Sequence, residues 1–182
     1  MEFSLIYRSK IIINAYSGWI SGSSMVLDIG CGNAVVTDEL KRHFGCDPTG
    51  TDIMDYRKRD IPFELMKSKR KLPFKDKSFD AAMFNDVLHH CEAQEDLLRE
   101  AARVAKKILI FEMEPTLTAR IADFIVNKIH NSKMNAAFEI RRSDEWKGYF
   151  KKMKFDFDYR DIKKPFTFYP FVNFSFKIET PV

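Results

Sequence analysis

Hydrophobic and polar positions recur along this chain with two different periods. Over residues 3–18, Leu5, Ile6, Ile12, Ile13 and Tyr16 return at helical spacing. A short aliphatic run at 25–29 reads as a strand, 34–44 as a helix ended by Gly45, and a strand is expected near 48–52. Further strands lie within 61–66 and at 79–85. Residues 93–107 then place Leu97, Leu98, Ala101, Val104 and Ala105 on one side of a helix. The run ILIFEM, 108–113, suits a strand buried on both faces. Helices are expected near 116–130 and 143–152.

The period then changes to two. FDFDY, 155–159, sets Phe155, Phe157 and Tyr159 on one face and Asp156 and Asp158 on the other, and VNFSFKI, 172–178, alternates likewise. Such alternation predicts antiparallel strands with one solvated face. The fold class is therefore α/β: a Rossmann-like, doubly wound sheet, mostly parallel, closed by an antiparallel C-terminal strand pair. No repeat or linker interrupts it, so 1–182 reads as a single domain. Open sheets of this kind bind ligands at the carboxyl ends of their strands.

Composition narrows the classes. The chain has 182 residues, 45% of them apolar, which suits one domain with a proper core. The net charge of +4, from 30 basic and 26 acidic residues, does not by itself demand a nucleic-acid partner. Cys31, Cys46 and Cys91 are odd in number and widely spaced, which predicts a reducing cytoplasm rather than a disulfide framework. Arg8 and Lys10 break the N-terminal apolar stretch, against a signal peptide. No apolar run approaches the ~20 residues of a membrane helix. Peripheral membrane contact is left open.

Candidate chemistry begins at MVLDIGCGNAVV, 25–36, where Gly30 and Gly32 stand at a strand exit. Two readings compete: an ordinary tight turn, or clearance for a ligand. The spacing Gly30-x-Gly32-x-Ala34 fails the G-x-G-x-x-G dinucleotide fingerprint, which weakens a phosphate cradle. Asp52 lies 20 residues after Gly32, at the end of the second strand, where a carboxylate can accept both ribose hydroxyls. Paired with the glycines, that reading outweighs a turn cap.

The segments VLDIGCGNA, GTDI, LPFKDKSFD and NDVLHH, in this order and spacing, closely resemble the class I S-adenosylmethionine-dependent methyltransferases, best of all their type 11 branch. The resemblance covers about residues 24–114 and implies S-adenosylmethionine as cofactor, with S-adenosylhomocysteine as product. It also implies roles. Asp28, Gly30, Cys31 and Gly32 would form the loop under the methionine part. Asp52 would hold the ribose and Ile53 would pack on the adenine. Asn85 and Asp86 would line the methionine and methyl end, with His90 nearby. Two positions depart from the family pattern. The third glycine is Ala34, small enough for a helix start. The acidic residue before LPF is Ser68, so the adenine amino group meets Ser68, a backbone group or another register.

Methyl transfer from a sulfonium needs alignment and exclusion of water more than a fixed catalytic residue. His89 and His90 are candidates for a base, against the blander reading that they pack the loop. No metal is expected: adjacent ligand types in HHCE, 89–92, point apart. Glu112 and Glu114 follow a strand and could face substrate; solvated or helix-capping roles are favoured. Ile121, Phe124, Ile125 and Ile129 form a stripe expected to be core, although 3–18 and 115–142 also stand where this fold often builds a substrate lid. Phe166, Phe168, Tyr169 and Phe171 could line a pocket, with core packing favoured. The basic residues Arg57, Lys58, Arg59, Lys67, Lys69, Arg70 and Lys71 read as a solvated face rather than a phosphate track. The expected function is methyl transfer to a small-molecule acceptor; the alternatives are an RNA or protein acceptor, or a non-catalytic partner subunit.

Overall fold

Two neighbouring strands set the frame. β1 (Met25–Ile29) and β4 (Ala81–Asn85) run parallel, with Val26 opposite Ala81 and Asp28 opposite Met83. The computed structural model describes residues 2–130 and 139–180, so residues 131–138 of the expected lid segment lie outside the description. β2 (Asp47–Asp52) and β3 (Phe63–Leu65) extend the sheet on one side of β1. β5 (Lys107–Met113), β7 (Asn173–Glu179) and β6 (Phe157–Ile162) extend it beyond β4. The order is β3-β2-β1-β4-β5-β7-β6, and β7 alone runs against its neighbours. The chain leaves β1 toward β2 and later returns to β4, so the carboxyl ends of β1 and β4 flank the topological switch.

Alternation along the strands explains the layers. Val26, Met83, Leu109 and Phe111 face one side with α1 (Glu2–Tyr16) and α2 (Val35–Phe44). Leu27, Phe84, Ile108 and Ile110 face the other, where α3 (Gln94–Val104) and α5 (Ser143–Lys152) supply Leu98, Ala101, Trp146 and Phe150. Successive side chains of a strand point to opposite faces, so apolar runs such as β5 need a helix layer on each side. Phe155, Phe157 and Tyr159 pack on the α3–α5 side, as their alternation predicts.

Three expectations are overturned. First, the polar face of β7 is solvated only in part: Asn173 and Ser175 are buried beside Phe174 and Phe176, while Lys177 and Glu179 reach solvent. The reason is α1, which lies over that side and whose Arg8 donates to Asn173 Oδ1 at 2.8 Å. Secondly, α4 (Leu117–His130) does not bury its apolar stripe. Among its described side chains Ala119 is buried, while Leu117, Ile121, Phe124 and Ile125 are exposed. Helical periodicity marks an apolar face without saying what covers it. Thirdly, Phe166 and Phe168 are exposed, whereas Tyr169 is buried. The side chain of Ile129 lies outside the description.

Candidate functional site

The loop after β1 is held by β2. The amides of Gly30 and Cys31 both donate to Thr51 O, at 2.8 and 3.2 Å. This turns the chain sharply, with Gly30 at φ 74° and Gly32 at φ 53°. The two glycines serve different ends. A Cβ on Gly30 would stand 2.3 Å from Val87 Cγ2, so its bareness admits the segment after β4. A Cβ on Gly32 would meet no atom within 4 Å, so its bareness leaves an open edge. Ala34 enters α2 at φ 61°, a left-handed conformation that strains any residue but glycine. Cys31 turns inward over Gly50, whose own Cβ would lie 2.7 Å from the sulfur, and burial pushes its thiol pKa far up.

Asp52 stands beside the open edge. Gly32 N–H donates to its Oδ2 at 2.9 Å and Ile53 N–H to its Oδ1 at 2.7 Å. Desolvation raises its pKa above the ordinary carboxylate value, and these amides oppose the rise. Each oxygen keeps a second lone pair, so the carboxylate has capacity for two hydroxyl donors. Ile53 and Met54 expose apolar surface next to it. A carboxylate able to accept hydroxyls, a bare glycine edge and an apolar shelf together fit a nucleoside. Ser68 lies in an exposed turn after β3, bridged to Lys71, and its hydroxyl accepts the Arg70 amide at 3.1 Å.

Behind the loop runs a buried polar chain. Tyr16 O–H donates to Asn85 Oδ1 at 2.8 Å, Asn85 Nδ2 donates to Asp28 Oδ1 at 3.1 Å, and Thr37 O–H donates to Asp28 Oδ2 at 2.5 Å. Burial pushes the Asp28 carboxyl up to about 6, against the lowering pull of Thr37 and Asn85. Both ends of the Asn85 amide are therefore engaged within the protein. Asp86, next in sequence at φ 54°, is engaged too. Arg8 grips it through Nε to Oδ2 at 2.8 Å and Nη2 to Oδ1 at 2.6 Å, and donates from Nη1 to Tyr169 O–H at 2.7 Å. The guanidinium lies 4.7 Å from the Phe111 ring centre and 5.1 Å from that of Phe171. Burial opposes its charge, but Asp86 outweighs that and holds the Arg8 pKa above its usual value.

His89 and His90 form a 3-10 turn with Leu88, their rings 4.0 Å apart. Glu112 departs from expectation: it is buried, not solvated. Its Oε1 accepts Leu88 N–H at 2.9 Å and its Oε2 lies 2.6 Å from His89 Nδ1, so the proton is assigned to that nitrogen. A buried carboxylate must find such partners. Glu114 accepts the amide of Ser143 at 3.2 Å, at the start of α5.

The structure thus gathers Asp28, Gly30, Cys31, Gly32, Asp52, Ile53, Asn85, Asp86 and the His89–His90 turn at the strand exits, with Ser68 apart on a surface turn. Sequence reasoning missed the parts played by Arg8, Tyr16 and Thr37, and it weighed Glu112 without its buried histidine partner. Arg8 carried a signal: it falls three residues after Leu5 and four before Ile12, on the apolar stripe of α1. The arginines of the basic cluster are paired on the surface: Arg57 with Asp55 at 2.8 Å, Arg59 with Asp38 at 3.3 Å and Arg70 with Asp96 at 2.5 Å. Among the described residues, no helix is long and apolar enough to cross a membrane.

Residues 27–111 match the family model of a methyltransferase domain. An S-adenosylmethionine-dependent methyltransferase of Thermotoga maritima superposes with a TM-score of 0.70 at 17% identity, over 98% of this chain and 93% of that one. One from Methanosarcina mazei gives 0.65 at 18%, over 90% and 95%. Phosphoethanolamine N-methyltransferase 2 of Haemonchus contortus, determined with S-adenosylmethionine, gives 0.67 at 14%, over 97% of this chain and 52% of that one. At these identities the likeness is one of fold. No curated protein sequence matches the chain significantly.

Proposed function

We propose that the chain is a class I S-adenosylmethionine-dependent methyltransferase that transfers the methyl group to a small-molecule acceptor, a reading supported by the match of residues 27–111 to the family model of a methyltransferase domain. The observation that carries this reading is the pairing of the open Gly32 edge with the Asp52 carboxylate across the exits of β1 and β2. Asp52 would take the ribose hydroxyls, Ile53 the adenine face, and the Gly30–Gly32 loop the methionine side. The cofactor supplies a methyl already activated on a sulfonium.

The chain's own residues then have two tasks: orientation and exclusion of water. Arg8 holds Asp86 at the exit of β4, and with Phe111 and Phe171 it closes the apolar side of the site. Glu112 fixes the turn that carries His89 and His90 by holding both a backbone amide and an imidazole. His89 is buried, so it reads as a positioning residue, whereas His90 is partly exposed and is the better placed of the two for proton acceptance. Ion pairing of the basic cluster favours a small acceptor over RNA. A second reading, a non-catalytic partner subunit of the same fold, draws on the engagement of Asn85 and Asp86 within the protein. Incubation with S-adenosylmethionine and a panel of small amine, hydroxyl and carbon acids separates the readings. Release of S-adenosylhomocysteine with one class supports the enzyme; cofactor binding without turnover on any acceptor class, RNA and protein included, supports the subunit.

A further inference from the structure

Four large apolar side chains, Leu117, Ile121, Phe124 and Ile125, are exposed along one side of α4, opposite its buried Ala119. A second exposed apolar group stands beside them. The loop KKPFTFYPF, 163–171, ends a few residues before β7, and its Phe168 is 92% exposed. The helix and the loop are one surface, because Thr118 O–H donates to Pro170 O at 3.0 Å. The loop is not slack. Tyr169 N–H donates to Phe166 O at 3.1 Å, and the Phe166 ring rests edge-on against Tyr169 at 5.5 Å and near Tyr7 at 6.3 Å. Phe168 is therefore held outward at the tip of a braced turn.

Among the described side chains around this surface, cations predominate. Lys163 and Lys164 open the loop and Arg120 lies on the first turns of α4, all three exposed and none of them in an ion pair among the described residues. The acidic neighbour Asp161 is turned away, accepting the hydroxyl of Tyr159. This differs from the cluster at 57–71, where the arginines have carboxylate partners. An apolar helix face, a projecting aromatic and flanking cations match an interface that is apolar within and anionic at its rim.

We propose that α4 and the 163–171 loop form a docking surface for an anionic lipid bilayer, with Phe168, Phe166 and the α4 stripe entering the acyl boundary and Lys163, Lys164 and Arg120 meeting the headgroups. The surface lies against Tyr169 and Phe171, which border Arg8. The proposal does not depend on methyl transfer.

Co-sedimentation of the full chain with vesicles tests it. Vesicles of equal parts phosphatidylcholine and phosphatidylglycerol should carry the protein down, pure phosphatidylcholine should carry down far less, and added salt should release it. Lys163→Gln with Lys164→Gln should lower the partition coefficient about tenfold or more. Phe168→Ser should lower it by about the same factor. All three positions are exposed, so an unchanged melting temperature separates lost binding from lost fold. Sedimentation equilibrium without lipid is the companion measurement. Absence of binding to anionic vesicles, equal binding to neutral ones, or indifference to these substitutions would overturn the proposal. So would a dimer that Phe124→Asp dissociates, which would show that a second copy covers the face.

Discussion

The Arg8 guanidinium clasps both carboxylate oxygens of Asp86, tying the first helix of the chain to the exit of β4, 78 residues later. The same guanidinium reaches Tyr169 and Asn173, so one side chain joins α1 to three other segments at the sheet's carboxyl edge. Asp86 keeps partial exposure, and Arg8 is mostly buried.

Removing one partner of such a pair strands the other. Arg8→Ala should destabilise the fold by about 2–4 kcal/mol, measured by urea unfolding. Asp86→Ala in the Arg8→Ala background should add much less than it does alone, giving a coupling of about 1–3 kcal/mol. Strict additivity would show that the pair carries no net interaction.

Asp28 predicts an unusual pH dependence. Its folded-state pKa is raised, to about 6, so the folded protein binds a proton more tightly than the unfolded chain does. Stability from this group is present below the unfolded carboxylate value and is lost as pH rises through 6, a fall of about 3 kcal/mol at most. Asp28→Asn should flatten that slope, with the difference between variant and wild type growing from pH 4.5 to 7.5. Parallel curves would place the titration elsewhere.

The two glycines should fail in different ways. Gly30→Ala forces a methyl into Val87 and should cost at least about 2 kcal/mol of stability, partly restored by Val87→Ala. Gly32→Ala meets no atom and should cost only about 1 kcal/mol of backbone strain, yet weaken cofactor binding. Thermal melts and cofactor titration, run on both variants, separate the two effects.

Glu112 should govern the turn after β4. Glu112→Ala leaves the Leu88 amide and His89 without their buried acceptor and should cost about 2–3 kcal/mol. Amide exchange at Leu88 should quicken while exchange within β1 changes less. Equal quickening throughout would indicate global destabilisation alone.

A mostly parallel sheet with helices on both faces was legible because β4 and β5 carry apolar runs, which need cover on both sides. The loop glycines and Asp52 were legible from spacing. What escaped was partnership. The alternation of β7 is real, yet Asn173 and Ser175 are buried because α1 comes from the far end of the chain to cover them. Glu112 read as solvated because a carboxylate at a strand end has no sequence mark of a histidine 23 residues earlier. The stripe on α4 was legible as apolar, but period alone assigned it to the core when it faces outward. Local pattern reports which residues share a face; burial depends on contacts between segments far apart in sequence.

The central claim is a nucleoside-plus-methionine cofactor held at Gly32 and Asp52. Calorimetric titration with S-adenosylhomocysteine tests it most directly. One saturable site is expected, with Asp52→Ala weakening it by about 1–3 kcal/mol while the melt is unchanged. Absence of binding to the folded protein at millimolar ligand, or binding indifferent to Asp52, would contradict the account.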